Sequence, residues 1–140
     1  MTLYLELEEN PKGTAQQKGE SVIRGRIHHF EKANVRTQRA IYMKKIRQAL
    51  DDLGRPIPHY EGPVAVNIVF WFSIKQKKKW GQWKTSKPDL DNSCKLLLDC
   101  ISSEEFGLID DDCQIAKLKL SKQYAESPAV QIDIWRLIQP

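Results

Sequence analysis

The sequence predicts an α+β fold: a single two-layer domain in which a mixed or antiparallel sheet packs against two main helices. Segments rich in β-branched and aromatic residues, or alternating in polarity, occur near both ends and in the middle of the chain, and two segments with helical spacing lie among them. One sheet covered by helices is the economical packing for this order. The 140 residues suffice for one such core, so we expect residues 1–140 to form a single domain.

The N-terminal part predicts a strand, a loop and a hairpin arm. Residues 3–8 alternate between apolar and polar side chains, which indicates a first strand. Residues 10–20 contain a proline and two glycines and favour a loop. Residues 22–30 favour a short strand or one arm of a hairpin.

The central part predicts a helix followed by the main strand. Residues 34–53 carry an apolar stripe with helical spacing, formed by Val35, Ile41 or Tyr42, Ile46, Ala49 and Leu53. Glycine and proline after residue 53 end this helix. Residues 64–72 are almost all β-branched or aromatic, which predicts a strand in the middle of the sheet.

The C-terminal part predicts a helix and two strands. Pro88 suits the first turn of a helix, and Asp89 or Asp91 can cap its free N–H groups. We expect this helix to run to about Ser103. Residues 114–122 and 129–137 alternate in polarity and predict the last two strands.

The net charge of +4 and a sequence pI near 9.0 give a mild preference for polyanions. The charge is uneven, because residues 75–87 are strongly basic and residues 99–112 are acidic. No apolar run is long enough to span a bilayer and the N-terminus lacks a signal-peptide pattern, so we expect a cytoplasmic protein that does not engage membranes.

The three cysteines form no Cys-x-x-Cys pair, and their odd number favours free thiols. A zinc site through His28 and His29 is disfavoured, because adjacent residues point to opposite sides of a strand.

Two acidic clusters are the candidate catalytic groups. Asp89 and Asp91 lie at the start of the second helix, and residues 110–112 are three consecutive aspartates before a strand. A helix followed by a strand can bring these carboxylates together, where they would repel one another unless a divalent cation lay between them. Oxygen ligands select Mg²⁺ or Mn²⁺. The alternative is that the first pair only caps the helix and the triplet forms a solvated turn.

A calcium-loop interpretation of Asp89 and Asp91 fails, because Cys94 and Cys100 stand where the glycine and the bidentate glutamate belong. Lys95 follows Asp91 by four residues and shares its helical face. Alone, it is a solvated charge or an ion-pair partner of Asp91; beside a bound metal it could reach a phosphate.

Cations and indoles are interleaved between residues 75 and 87, a pattern that favours phosphate neutralisation and base stacking. The alternative is an exposed hairpin whose tryptophans fold back on the core. Together with cations of the N-terminal part, the predicted nucleic-acid-binding residues are Lys12, Lys18, Arg24, Arg26, Lys77, Lys78, Lys79, Trp80, Lys84 and Lys87.

The run Lys87-Pro88-Asp89-Leu90-Asp91-Asn92 with Lys95, followed by Asp111-Asp112-x-Gln114-Ile115, resembles the signature of the RusA family of Holliday junction resolvases, common in prophages. The resemblance covers most of the chain and is most specific in these two motifs. It implies a homodimeric, Mg²⁺-dependent endonuclease that cuts four-way DNA junctions by paired nicks. It further implies that Asp89, Asp91 and Asp112 bind the metal and that Lys95 is catalytic.

Strand parity also favours Asp112 within the triplet. In a strand that included it, Asp112 would share a face with Gln114, Ala116 and Leu118, the face expected to pack toward the core. For the implied dimer, residues 64–72 and 129–137 are the candidate interface strands. Two rival functions stay open: a non-catalytic nucleic-acid-binding protein, and a less selective metal nuclease acting on forks or flaps.

Overall fold

The computed structural model describes residues 1–13 and 18–140 of the chain. Its elements follow one another as β1 (Thr2–Glu6), β2 (Lys18–Ile23), β3 (Arg26–Glu31), α1 (Ala33–Asp52), β4 (Val64–Ser73), α2 (Leu90–Ile101), β5 (Ile115–Ala125) and β6 (Ala129–Arg136). Two short 3-10 turns, Lys77–Lys79 and Asp112–Gln114, lie between them.

The main sheet has the strand order β1-β6-β4-β5. β4 pairs parallel with β5 and antiparallel with β6, so the sheet is mixed. The connection between the two parallel strands carries α2, as a parallel pair requires a crossover. The predicted α+β class and the interior position of the strand after residue 63 are both confirmed.

Both helices pack on one face of this sheet and contribute to one hydrophobic core. Every second residue of β4 from Val64 to Phe72 is buried, which places that face under the helices. The predicted stripe of α1 is confirmed at Val35 and Ile46; of the two alternatives, Tyr42 is buried. Leu50 is buried in the last turn, where the sequence had predicted Ala49 and Leu53, which are half-buried at the margin of the core.

A separate two-stranded sheet is formed by β2 and β3. Its turn consists of Arg24 and Gly25, both with positive φ, at 52° and 75°. This turn divides residues 22–30 between two strands, so the prediction that they form one strand or one hairpin arm is wrong. Val22 and Ile27 pair across the hairpin and are 72% and 63% exposed, so the hairpin contributes little to the core. The predicted loop over residues 10–20 is too long by three residues, because β2 begins at Lys18; residues 14–17 lie outside the described part.

The boundaries of the C-terminal elements correct two expectations. Pro88 lies outside α2, since Asp89 occupies the N-cap and Leu90 is the first helical residue. Gln114 belongs to a 3-10 turn and β5 begins at Ile115, so Asp112 is not in a strand. The predicted parity argument is therefore wrong, and Leu118, which it placed toward the core, is 42% exposed on an edge strand.

The cysteines are free, as predicted: Cys94 and Cys100 are buried and Cys113 is exposed. Within residues 1–13 and 18–140, no helix has the length and apolar character needed to cross a membrane.

Candidate active site

Asp89 is the N-cap residue of α2, but its carboxylate does not cap the helix. Its backbone is extended (φ −69°, ψ 150°), and its carbonyl oxygen accepts hydrogen bonds from the Ser93 N–H at 3.0 Å and the Ser93 hydroxyl at 2.9 Å. Its side chain accepts no capping hydrogen bond, although capping is the usual task of an aspartate at this position. The carboxylate is exposed and has its lone pairs available for a ligand.

Asp91, Lys95 and Asp99 follow one another at intervals of four residues and share one face of α2. Asp91 and Lys95 are exposed, and within the described residues no ion pair joins them. The simple interpretation of Lys95 as the partner of Asp91 therefore has no support. Asp99 was not predicted as a site residue, although its spacing from Asp91 could have indicated it.

The three consecutive aspartates, residues 110–112, have carboxylates that make different contacts. Asp111 caps the 3-10 turn, accepting a hydrogen bond from the Cys113 N–H at 3.1 Å. Asp110 lies 3.5 Å from the ring of His59. The Gln114 amide holds the turn: its oxygen accepts from the Asp110 N–H, and its nitrogen donates to the carbonyls of Tyr60 and Gly62.

Asp112 lies near two other acidic side chains, Asp111 and Asp99. A hydrogen bond with the Asp111 carboxyl, partial burial, and the charges of Asp111 and Asp99 raise the pKa of Asp112 above its ordinary value. The pKa of Asp111 is lowered by its hydrogen bond from the Cys113 backbone and by the one with Asp112, so the pair favours a proton on Asp112. A bound cation would relieve this repulsion. The exposed Cys113 thiol has its pKa raised by the Asp111 charge, which disfavours a nucleophilic thiolate.

The three predicted metal ligands have the chemistry that a hard cation requires, but the structure does not bring them together. Asp89, Asp91 and Asp112 offer only oxygens, the ligand chemistry of Mg²⁺, which is typically bound by one or two carboxylates with water and substrate phosphate. Across the described part of the chain, however, no three His, Cys, Asp or Glu side chains come close enough to form a metal site. The acidic side chains that act on Asp112 are Asp111 and Asp99. The convergence of Asp112 with the first acidic pair therefore stays a prediction.

A shallow cavity of about 420 Å³ opens beside Asp89. Its lining comes from the N-terminal loop and from the start of α2, namely Pro11, Lys12, Gly13, Lys87, Pro88, Asp89 and Asn92. Gly13 lies close to this turn, because a Cβ at this position would lie 3.1 Å from the Cβ of Pro88, a tight contact. The cavity joins lysine ammonium groups to an acidic side chain, an arrangement suited to a phosphate and its counter-ion.

The basic segment between β4 and α2 places its two indoles differently. Trp80 is half-buried, and its indole N–H donates to the Ile74 carbonyl at 2.9 Å, while Lys77 lies 5.9 Å from its ring. Trp83 is 66% exposed, so it is the better candidate for stacking, although it was not among the predicted site residues. Lys84 is also half-buried, its ammonium 5.1 Å from the ring of Phe72.

Most of the remaining predicted DNA-binding residues lie on exposed surfaces. Arg24 and Arg26 are at the tip of the β2–β3 hairpin, and in the first 3-10 turn Lys77 and Lys78 are exposed while Lys79 is half-buried. Lys12 lies 3.3 Å from Glu9 in an exposed ion pair. Lys18 belongs to β2, but its side chain lies outside the described part of the structure. His29 lies 3.5 Å from Glu20 on the exposed hairpin.

The fold and the two acidic motifs define a class of protein. Residues 9–135 match the family described as Endodeoxyribonuclease RusA. The chain belongs to the RusA family of endodeoxyribonucleases, and the resemblance drawn from the motifs is confirmed.

Two relatives illustrate this membership. The chain is 34% identical over 133 residues to the crossover junction endodeoxyribonuclease rusA of Lactococcus phage r1t, an alignment that covers 92% of each chain. It is 29% identical over 125 residues to the protein YqaN of Bacillus subtilis (strain 168), covering 81% of this chain and 82% of YqaN.

Proposed function

We propose that the chain is a Mg²⁺-dependent endodeoxyribonuclease that resolves four-way DNA junctions by paired nicks, in DNA recombination and repair. The observation that carries the proposal is the Asp89 carboxylate, which stands at a helix N-terminus without capping it and borders a lysine-lined cavity. A carboxylate without a structural task beside cations is expected at a phosphodiester-cleaving site. Membership of the RusA family supports the same chemistry.

Asp89, Asp91 and Asp112 are the residues we propose as metal ligands, with water and a DNA phosphate completing the coordination. When bound, Mg²⁺ would lower the pKa of a water molecule and stabilise the charge that develops on the phosphate; Mn²⁺ would substitute. The protein itself would orient the phosphate through Lys12 and Lys87, which line the cavity.

Lys95 is proposed as the catalytic lysine. It lies one turn after Asp91 on the same face of α2 and has no ion-pair partner among the described residues, so its ammonium is available to a phosphate or a leaving oxygen. A donor aimed at charge that appears only in the transition state contributes to rate more than to binding.

The DNA arms would lie along the cations of the β2–β3 hairpin and of the basic segment. We propose the hairpin residues Arg24 and Arg26, the lysines of the first 3-10 turn, and Lys18 as phosphate contacts. Residues 1–140 would act as one nuclease domain, as a homodimer in the cytoplasm, because a nearly two-fold symmetric junction requires two equivalent sites.

The deciding experiment incubates the purified protein with a labelled four-way junction, a fork and a linear duplex, each with Mg²⁺ and with EDTA. We expect symmetric nicks in the junction only when Mg²⁺ is present, while binding persists in EDTA because it depends on lysines and arginines. Equal cleavage of the fork would favour the less selective nuclease. Binding without cleavage at any metal concentration would favour the non-catalytic protein.

A further inference from the structure

Lys122 makes an unusual pair of contacts from the edge strand β5. Its ammonium donates to the carbonyl oxygen of Ser86 at 2.6 Å and to that of Pro88 at 2.7 Å. It is half-buried, and no carboxylate in the described part of the chain lies within ion-pair distance. A lysine that exchanges water for two backbone carbonyls has a specific structural task, since desolvating an ammonium is costly unless hydrogen bonds replace the water.

The segment that Lys122 holds leads directly into Asp89. Residues 85–89 form neither helix nor strand, so their own backbone does not fix them. One further contact restrains them from another side, because the Lys84 ammonium donates to the Ser86 hydroxyl at 2.6 Å. The N-terminal loop leaves little space beside them, since a Cβ at Gly13 would lie 3.1 Å from the Cβ of Pro88. Lys84 is itself fixed, because its N–H donates to the Lys122 carbonyl at 3.1 Å.

We propose that Lys122 is a positioning residue for metal binding: by anchoring the turn before α2 to the edge of the sheet, it fixes where the Asp89 carboxylate points. The proposal rests on the function proposed above, because it takes Asp89 as a metal ligand. Lys122 acts through the turn and not on DNA, since the bonds to both carbonyls direct its ammonium into the protein.

A lysine suits this position because one ammonium carries several donors and can serve both carbonyls at once. Mg²⁺ demands near-ideal ligand geometry, so a small displacement of one carboxylate lowers affinity. Groups that orient a metal ligand typically change metal affinity or activity by about 10- to 100-fold when removed. That range is the effect expected of Lys122.

The test measures Mn²⁺ binding to the DNA-free protein by electron paramagnetic resonance, so it does not depend on cleavage. Lys122→Met and Lys122→Gln both remove the double anchor, and we expect each to weaken Mn²⁺ binding roughly tenfold or more. Lys122→Arg keeps a donor and should recover part of the affinity. Lys119→Met is the matched control, because Lys119 lies on the opposite, exposed face of the same strand and should bind Mn²⁺ like the parent.

Backbone order parameters for Ser86, Lys87 and Asp89 give a second measurement on the same variants. In the parent we expect values typical of a rigid backbone, about 0.85, and in Lys122→Met a fall toward about 0.6. Unchanged Mn²⁺ affinity in both Lys122→Met and Lys122→Gln would overturn the positioning role. If instead Asp89→Asn does not alter Mn²⁺ binding, the proposed metal site is wrong, and the order parameters still decide whether Lys122 holds the turn.

Discussion

At the scale of single residues, three consecutive aspartates differ in what their carboxylates contact. Asp111 caps a turn, Asp110 lies beside His59, and Asp112 is in the repulsive surroundings of Asp111 and Asp99. We expect Asp112→Asn to abolish cleavage while junction binding stays or becomes stronger, because removing a negative charge reduces the repulsion of phosphate. Asp110→Asn should be nearly silent.

Asp111→Asn should have an intermediate effect, because the capped turn carries Asp112. The three variants are assayed on one junction at saturating Mg²⁺, with thermal unfolding as the control for folding. Normal cleavage by Asp112→Asn together with an inactive Asp110→Asn or Asp111→Asn would show that a different aspartate is the ligand.

The raised pKa of Asp112 predicts a response to Mg²⁺. Its carboxyl should protonate at a higher pH than an ordinary aspartate, because the Asp111 hydrogen bond and charge favour the neutral form. Since the folded pKa is raised, the contribution of this group to stability is present at low pH and is lost as pH rises through that pKa.

Carboxyl carbon NMR titrations with and without Mg²⁺ test whether Asp112 binds the metal. The expected result is a lower apparent pKa of Asp112 when Mg²⁺ is present. An unchanged titration would argue against Asp112 as a ligand.

A change at Lys95 should reduce the rate of cleavage without reducing the affinity for junction DNA. Lys95→Ala removes an exposed side chain, so the fold and junction affinity should persist. We expect cleavage to fall by about a hundredfold or more, the effect of removing one donor that stabilises the transition state. Single-turnover cleavage at saturating protein measures it, and Lys117→Ala, an exposed lysine of β5, is the control. Cleavage at the parental rate would make Lys95 an ordinary surface charge.

At the scale of elements, the β2–β3 hairpin projects basic and apolar side chains without packing them on the core. Arg24 lies in its turn and Arg26 is the first residue of β3. We expect the double change to alanine to leave unfolding unaffected and to lower the slope of binding affinity against salt by about one for each phosphate that an arginine no longer neutralises. Fluorescence anisotropy on a junction over a range of salt concentrations measures this slope. An unchanged slope would exclude the hairpin tip from the DNA interface.

The basic segment between β4 and α2 offers a matched comparison of indoles. Trp83→Ser should weaken binding to a junction with unpaired bases while leaving stability unchanged, because the side chain is 66% exposed. Trp80→Ser should instead destabilise the protein, since removing its half-buried indole removes the hydrogen bond to Ile74. Binding titrations and thermal unfolding of both variants separate the two roles, and equal effects on binding would contradict this division.

At the scale of the whole molecule, the helices cover one face of the main sheet, and the opposite face is half exposed. Tyr4 and Trp135 lie on that open face, 53% and 42% exposed. The two predicted interface strands, β4 and β6, are both interior strands, so neither offers a free backbone edge to a second copy. They could meet a partner only through side chains of the open face.

We expect a dimer in the absence of DNA, because paired nicks on a two-fold junction need two equivalent sites. Sedimentation equilibrium over a range of protein concentrations measures the assembly. Trp135→Ser tests whether the open face takes part. A monomer both free and bound to a junction would contradict the dimer, and a stable dimer of Trp135→Ser would direct attention to another surface.

The sequence by itself determined the class of fold and the family. Polarity patterns placed the two helices and the strands of the main sheet close to their observed bounds, because an element with one buried face must repeat its apolar residues at the period of that element. The exposed β2–β3 hairpin has no such face, and there the prediction of one strand over residues 22–30 was wrong. The first acidic motif could also be found from the sequence, because Asp89, Asp91 and Lys95 lie within seven residues at the start of one helix.

Only the tertiary structure decided what depends on contacts between distant segments. Gln114 folds the aspartate turn by bonding to Tyr60 and Gly62, which converts an expected strand start into a 3-10 turn and removes the parity argument for Asp112. The anchoring of the Asp89 turn by Lys122 is likewise invisible in the sequence, where this lysine is one cation among many. Periodicity indicates which face of an element is buried. The hydrogen bonds that hold the two acidic turns instead join residues more than thirty positions apart, and only the folded chain brings them together.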